Sequence, residues 1–200
     1  MCDFLEIPGA IAGGYLIGSI PIGYILVKMK TGKDIRESGS GATGATNVSR
    51  VLGKKVGITV AIFDIIKGIL AFALGLWLLH TKGSAEIAAV SAVIGHCYPV
   101  WIKFRGGKGV STTFGATTVL ATLPAILAFG VFAISLFVTK RVSAASLVAV
   151  WAFAGMLFFM EAGIVIQTMG IFLALFLSFT HRQNLLRLIS GTEKPILGDR

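Results

Sequence analysis

"GVSTTFGATTVLATLPAILAFGVFAISLFVT", residues 109–139, runs for 31 residues without a charged side chain. A helix crosses about 30 Å of hydrocarbon with about 20 apolar residues, so the run is too long for one straight span. Pro124 stands in its middle, where it removes a backbone donor and crowds the preceding turn. The spacing predicts two helices, 109–122 and 124–139, embedded in a membrane. Other runs agree: 7–27, 142–160 and 162–180 carry no charge, and 56–79 carries only Asp64 and Lys67. The segment 84–99 is apolar but holds only about 14 residues of helix, which makes it a short span or a re-entrant segment. The fold class is therefore all-α, a polytopic membrane protein of about seven transmembrane helices, some short, in one domain over 1–200. Five crossings would keep the same parity. A composition 55% hydrophobic and 14% charged belongs to the same class.

Basic residues supply the orientation, because lysine and arginine beside spans stay on the cytoplasmic side. Of 18 such residues, seven lie in 28–55: Lys28, Lys30, Lys33, Arg36, Arg50, Lys54 and Lys55. Lys103, Arg105 and Lys108 lie in 100–109, Lys140 and Arg141 in 140–142, and Arg182, Arg187, Lys194 and Arg200 in the tail 181–200. Alternating helices put these four segments on one side, with Lys82 opposite and the N-terminus outside. The net charge of +9 is explained by insertion and by anionic headgroups, without nucleic acid. Asp3 and Glu6 stand where a secretory signal would be basic, so the first helix is expected to be retained. Cys2 and Cys97 are expected to be free thiols.

Polar chemistry concentrates in three places. "GSGATGATN", residues 39–47, fits G-x-G-x-x-G, yet no strand precedes it; it also fits P-loop spacing, except that Ala45 stands where lysine is required. What both templates share is glycine-turned backbone N–H groups facing an anion, with nearby hydroxyls and Arg50 as further donors. A flexible linker has the same composition. In "GHCYPVWIKFRGGKGVSTT", residues 95–113, Lys108 lies among Gly106, Gly107 and Gly109 where a helix begins, followed by Ser111 and Thr112. That is an anion site at a helix N-terminus, or a lysine anchor at the bilayer face. In "HRQNLLRLISGTEK", residues 181–194, His181, Asn184 and Arg187 share one face if the helix continues, either for substrate or as an amphipathic tail. Ser143 follows Lys140 and Arg141 as a plausible helix cap.

Asp64 and Lys67 are three apart on one helix face at a depth where charges are costly, and read as a structural pair more readily than as chemistry. His96 either binds phosphate or serves its own turn. Trp77 and Trp101 sit near span ends as interface anchors.

"GSIP" (18–21), "GSGATGATN" with Arg50, "FDIIKG" (63–68), "GHCYPVWIKFRGGKGVST" (95–112) and "HRQNLLRLISGTE" (181–193) together resemble the bacterial integral-membrane acyl-phosphate:glycerol-3-phosphate acyltransferases, the PlsY family. Their order and spacing agree over nearly the whole chain. The resemblance implies transfer of a fatty acyl group from acyl phosphate to the first hydroxyl of glycerol 3-phosphate, giving lysophosphatidic acid and phosphate, in the bacterial inner membrane with the site on the cytoplasmic face. It implies catalytic roles for Ser40, Arg50, His181 and Asn184, and a structural one for Glu193. Gly106, Gly107, Lys108 and Gly109 match the glycerol-phosphate loop; Gly39, Gly41, Gly44, Asn47 and His96 join them as candidate substrate-binding residues. Membrane lipids are expected neighbours, and an enzyme that makes the acyl phosphate is a candidate partner. Ala42 departs from the family's usual asparagine, so either that side chain is dispensable or Thr43 substitutes for it.

An acyl phosphate is a mixed anhydride with a good leaving group, so this chemistry needs no covalent nucleophile, metal or cofactor. It needs two phosphates bound, one hydroxyl oriented and developing charge stabilised. No H-x-x-x-x-D box follows His80, His96 or His181, which argues against thioester-dependent acyltransferases. The rival from another class is a small anion or phosphate transporter, weakened by the peripheral placement of its polar residues and the lack of repeated halves.

Overall fold

The computed structural model describes residues 3–78 and 83–196, so Cys2, His80, Lys82 and Arg200 lie outside the described residues. These residues form α-helices, short 3-10 turns and connecting loops, with no strand among them. They group into two compact units, one up to residue 119 and one from 120 onward.

In the first unit the apolar run expected as one helix is two: α1 (Asp3–Ser19) and α2 (Ile22–Thr31). The break falls at Ile20 and Pro21, because proline brings no N–H to the ladder. The segment expected only as a loop then folds into a 3-10 turn at Ile35–Glu37 and an amphipathic helix α3 (Ala45–Leu52). Val48 of α3 is buried with Val27, Ile35 and Val60. Then come α4 (Lys54–Leu78), α5 (Ser84–Cys97) and α6 (Val110–Leu120).

These helices meet through small residues. A Cβ on Gly14 or Gly18 of α1 would strike the carbonyls of Ala88 or Ala92 on α5, and one on Gly95 would strike the Tyr15 carbonyl. Gly68 of α4 and Gly115 of α6 face each other's helices in the same manner, against the carbonyls of Thr112 and Ile65. Lipid offers no hydrophobic drive between apolar helices, so close backbone approach and van der Waals packing hold them.

The second unit contains α7 (Thr122–Thr139), α8 (Val142–Phe159), α9 (Ile164–Thr180) and α10 (Arg182–Ile189). Ala125 and Ala128 of α7 pack on Phe153 and Leu157 of α8. The boundary after α6 comes at Ala121, slightly before the expected one, which leaves Pro124 in the first turn of α7. There a proline's missing N–H would have had no intrahelical partner anyway. Between α9 and α10 the chain bends by 66°.

Each expected apolar segment is helical. Among the described residues five spans are long and apolar enough to cross a membrane (7–31, 54–78, 84–102, 122–139 and 142–159), or six with α9 and α10 counted together. At 11 residues, α6 falls short of that length.

Candidate functional site

In the first unit the 39–47 loop is shaped by one side chain. Asn47 is 1% exposed; its Oδ1 accepts from the Ser40 amide at 2.9 Å, and its Nδ2 donates to the Ser38 and Ala42 carbonyls, both at 2.9 Å. Gly39 and Gly41 take φ of 60° and 71°, conformations that side chains resist, and a Cβ on Gly39 would strike Asn47 Oδ1. Gly44 then caps α3 from an extended conformation. Asn47, expected to touch substrate, instead spends its amide on the loop. Ala42 serves that latch through its carbonyl, so the loop closes without an asparagine side chain there. Ser40 at the crest and Arg50 on α3 are exposed.

The second glycine loop is stitched to the first. Thr43 N donates to Gly106 O at 3.3 Å, while Gly106 N and Gly107 N donate to the Cys97 and His96 carbonyls, each at 3.1 Å. Thr43, weighed from the sequence as a stand-in for the missing asparagine side chain, contributes here through its backbone N–H, a bond with no residue-type signature. Arg36 holds the approach: it chelates Asp34 (Nη2 to Oδ2 2.6 Å) and donates through Nη1 to Ile102 O at 2.7 Å. The Arg36 guanidinium beside Asp34 keeps that carboxyl below its ordinary range. Gly109 is buried, Lys108 partly so, and α6 begins at Val110. In its first turns the Thr112 and Thr113 hydroxyls are buried without a hydrogen-bond partner.

Beneath this loop lies a charged cluster. Asp64 Oδ1 takes Lys67 Nζ at 2.8 Å, and Lys67 also donates to Ile20 O at 3.3 Å, at the break between α1 and α2. His96 Nδ1 lies 3.4 Å from the same Asp64 oxygen but is not aligned to bond it. A Cβ on Gly107 would strike His96 Nε2, so the ring is packed against the loop. All three side chains are buried. Cys97, beside them, is a buried free thiol. Trp77 and Trp101 are 78% and 62% exposed, and Trp101 donates to Ser19 Oγ at 2.8 Å.

The pair carries a prediction. Asp64→Asn or Lys67→Met alone leaves one unmatched buried charge and should cost about 3 kcal/mol each. The double variant should be less unstable than the sum of the singles, as read by thermal unfolding in detergent. Additive losses would mean that the two charges do not act as a pair.

In the second unit, the helix expected to run through His181 bends there, and His181 becomes the residue that precedes α10, in which Asn184 and Arg187 lie three apart. His181 is 3% exposed, and its Nδ1 sits 2.8 Å from Leu177 O. That carbonyl can only accept, so in the neutral ring the proton belongs on Nδ1 and the lone pair on Nε2. Asn184 and Arg187 both turn to Glu193. Its Oε1 accepts from Asn184 Nδ2 at 2.6 Å and Ser143 Oγ at 2.7 Å, and Oε2 accepts from Arg187 Nε at 2.7 Å. Arg141 Nε donates to the Glu193 carbonyl at 3.0 Å. Ser143, expected as a helix cap, lies inside the first turn of α8, which Arg141 precedes without a side-chain cap. Burial alone would raise the Glu193 carboxyl, but the bonds from Ser143, Arg187 and Asn184 outweigh it and hold the group below its ordinary value.

A family model described as glycerol-3-phosphate acyltransferase matches residues 9–191. A curated relative from Syntrophotalea carbinolica, named glycerol-3-phosphate acyltransferase, is 42% identical over 90% of this chain and 92% of its own. Two crystal structures of PlsY, described as an integral membrane glycerol 3-phosphate acyltransferase, superpose over 94% of each chain. The glycerol 3-phosphate form has a TM-score of 0.89 at 33% identity, and the lysophosphatidic acid form 0.87 at 31%.

Proposed function

Because the chain belongs to the glycerol-3-phosphate acyltransferase family, we propose that it moves a fatty acyl group from an acyl phosphate to the first hydroxyl of glycerol 3-phosphate. The hydroxyl oxygen bonds to the acyl carbon, the carbon–oxygen bond to phosphate breaks, and the hydroxyl proton passes to a base. The products are lysophosphatidic acid and phosphate. The observation that carries the reading is the pair of hydrogen-bonded glycine loops, with Lys108 beside them and two buried, unpartnered threonine hydroxyls in the α6 turns that follow. Glycine-turned amides, a helix N-terminus and a lysine are the donors a phosphate wants.

In this reading Ser40, Arg50 and Lys108 bind phosphate oxygens, with Gly39, Gly41, Gly44, Gly106, Gly107 and Gly109 as the backbone cradle. Asn47 and His96 hold that cradle's shape. His181 Nε2 accepts the hydroxyl proton, and Glu193 positions Asn184. The chain crosses seven times in the bacterial inner membrane, α6 being a short crossing, with its N-terminus outside. The basic segments 28–55, 100–109, 140–142 and the tail from 181 then face the cytoplasm, where an enzyme making acyl phosphate could dock.

The test is phosphate release by the purified protein, with palmitoyl phosphate or palmitoyl-CoA as donor, with and without glycerol 3-phosphate. Release that needs both palmitoyl phosphate and glycerol 3-phosphate is expected; turnover of the thioester instead would overturn the donor. Lys108→Met should raise the KM for glycerol 3-phosphate by about 10- to 100-fold, the worth of one charge-assisted hydrogen bond. An unchanged KM would remove Lys108 from the phosphate.

A further inference from the structure

Lys140 ends α7 in the left-handed region, with φ of 56° and ψ of 12°. Glycine takes that position with less strain. The tail lies against this turn: Ile196 N donates to Lys140 O at 2.8 Å, and Arg141 Nε to Glu193 O at 3.0 Å. Between turn and tail opens a pocket of about 370 Å³, lined among others by Thr139, Lys140, Arg141, Thr192 and Lys194. Its one carboxylate, Glu193, is already engaged by Ser143, Asn184 and Arg187. Among the described residues no ion pair neutralises Lys140, Arg141 or Lys194. Three cations thus share one concave polar pocket with no matching anion among those residues.

The surroundings select the anion. Phe137 and Val138, in the last turn of a candidate membrane span, are 74% and 72% exposed. Lys140 Nζ lies 4.2 Å over the Phe137 ring, so the ammonium and the apolar surface are adjacent. A free phosphate uses only the cations, whereas a lipid uses both. We propose that this pocket binds the phosphate headgroup of an anionic phospholipid, whose acyl chain runs along Phe137 and Val138. Occupancy fastens the turn 191–195 to the α7–α8 connection and with it the backbone of Glu193.

Native mass spectrometry of the full-length protein in mild detergent tests this, with phosphatidylglycerol, phosphatidylcholine or inorganic phosphate added and no reaction substrate present. The wild type is expected to retain phosphatidylglycerol in preference to phosphatidylcholine. Lys140→Gly and Lys194→Gln should each weaken retention about fivefold, and together about 25-fold, the usual effect of basic residues at a lipid surface. Glycine suits the left-handed backbone at 140, so loss of lipid in a variant that melts like the wild type is loss of the ammonium. A double variant with unchanged retention overturns the proposal. So does equal retention of the two lipids, or inorganic phosphate binding as tightly as phosphatidylglycerol.

Discussion

His181→Ala is expected to lower turnover by about 10²- to 10⁴-fold at saturating palmitoyl phosphate and glycerol 3-phosphate, the usual worth of a general base. The expectation rests on the ring's proton arrangement. In the neutral ring the Leu177 carbonyl holds the proton on Nδ1, which puts the lone pair on Nε2 and fixes the plane in which it can accept. A base of this kind acts in the transition state, so kcat should fall while KM for glycerol 3-phosphate moves little. Because the ring is buried, rates must be referred to the folded fraction, read from the melting transition of the same sample. A variant with near-normal turnover would hand the proton to the substrate's own phosphate. A variant with normal kcat and raised KM would make the imidazole a binding group.

Glu193→Ala is expected to be the most destabilising single change in the second unit, by about 3 kcal/mol or more. It strips the acceptor from the buried Ser143 and Asn184 donors, each costing about 1–3 kcal/mol when left unmet. The Arg187 bond is partly exposed and adds less. The same carboxylate makes stability depend on pH. Its folded pKa lies below the ordinary 4.5, so the unfolded chain binds the proton more readily. The stabilisation is therefore complete above that ordinary value and drains away as pH falls through it toward the folded one. Glu193→Gln should flatten this part of the curve of melting temperature against pH. An unaltered acid slope would mean that other carboxylates control it.

The apolar helices were legible because a membrane span announces itself by length and by lack of charge. Pro124 marked the α6–α7 boundary to within a few residues. Pro21 carried the same signal and was overlooked inside 7–27, since a run of acceptable length gave no reason to divide it. Helix α3 was hidden for another reason: "ATNVSRVL" is short and holds β-branched and polar residues, poor helix formers that tertiary burial of Val48 overrides. Its one sequence trace is Val48 and Leu52 four residues apart.

For the candidate site, residue types pointed to the right stretches but not to the partners within them. Asn47 looked like a ligand because amides bind phosphates; that it folds back on Ser38, Ser40 and Ala42 depends on loop closure that no spacing states. Asn184 and Arg187 were legible as helical neighbours, but that both turn to Glu193 depends on the tail returning to α10, which no spacing states. The Asp64–Lys67 pair was legible from its three-residue spacing, whereas the third member, His96, comes from α5 and depends on packing.

The brevity of α6 bears on the bilayer itself. Eleven residues reach only about 16 Å at about 1.5 Å per residue, roughly half the hydrocarbon thickness. In the proposed seven-crossing arrangement, lipids that meet so short an element shorten or tilt to keep its ends wet, which costs a fraction of a kcal/mol per Å of mismatch. In that arrangement the surface is expected to dimple next to the glycine loop that opens this helix. A dimple carries water down toward the depth at which fatty chains end. Under the proposed reaction, a water-soluble glycerol phosphate and a greasy donor would meet there without either leaving its own solvent.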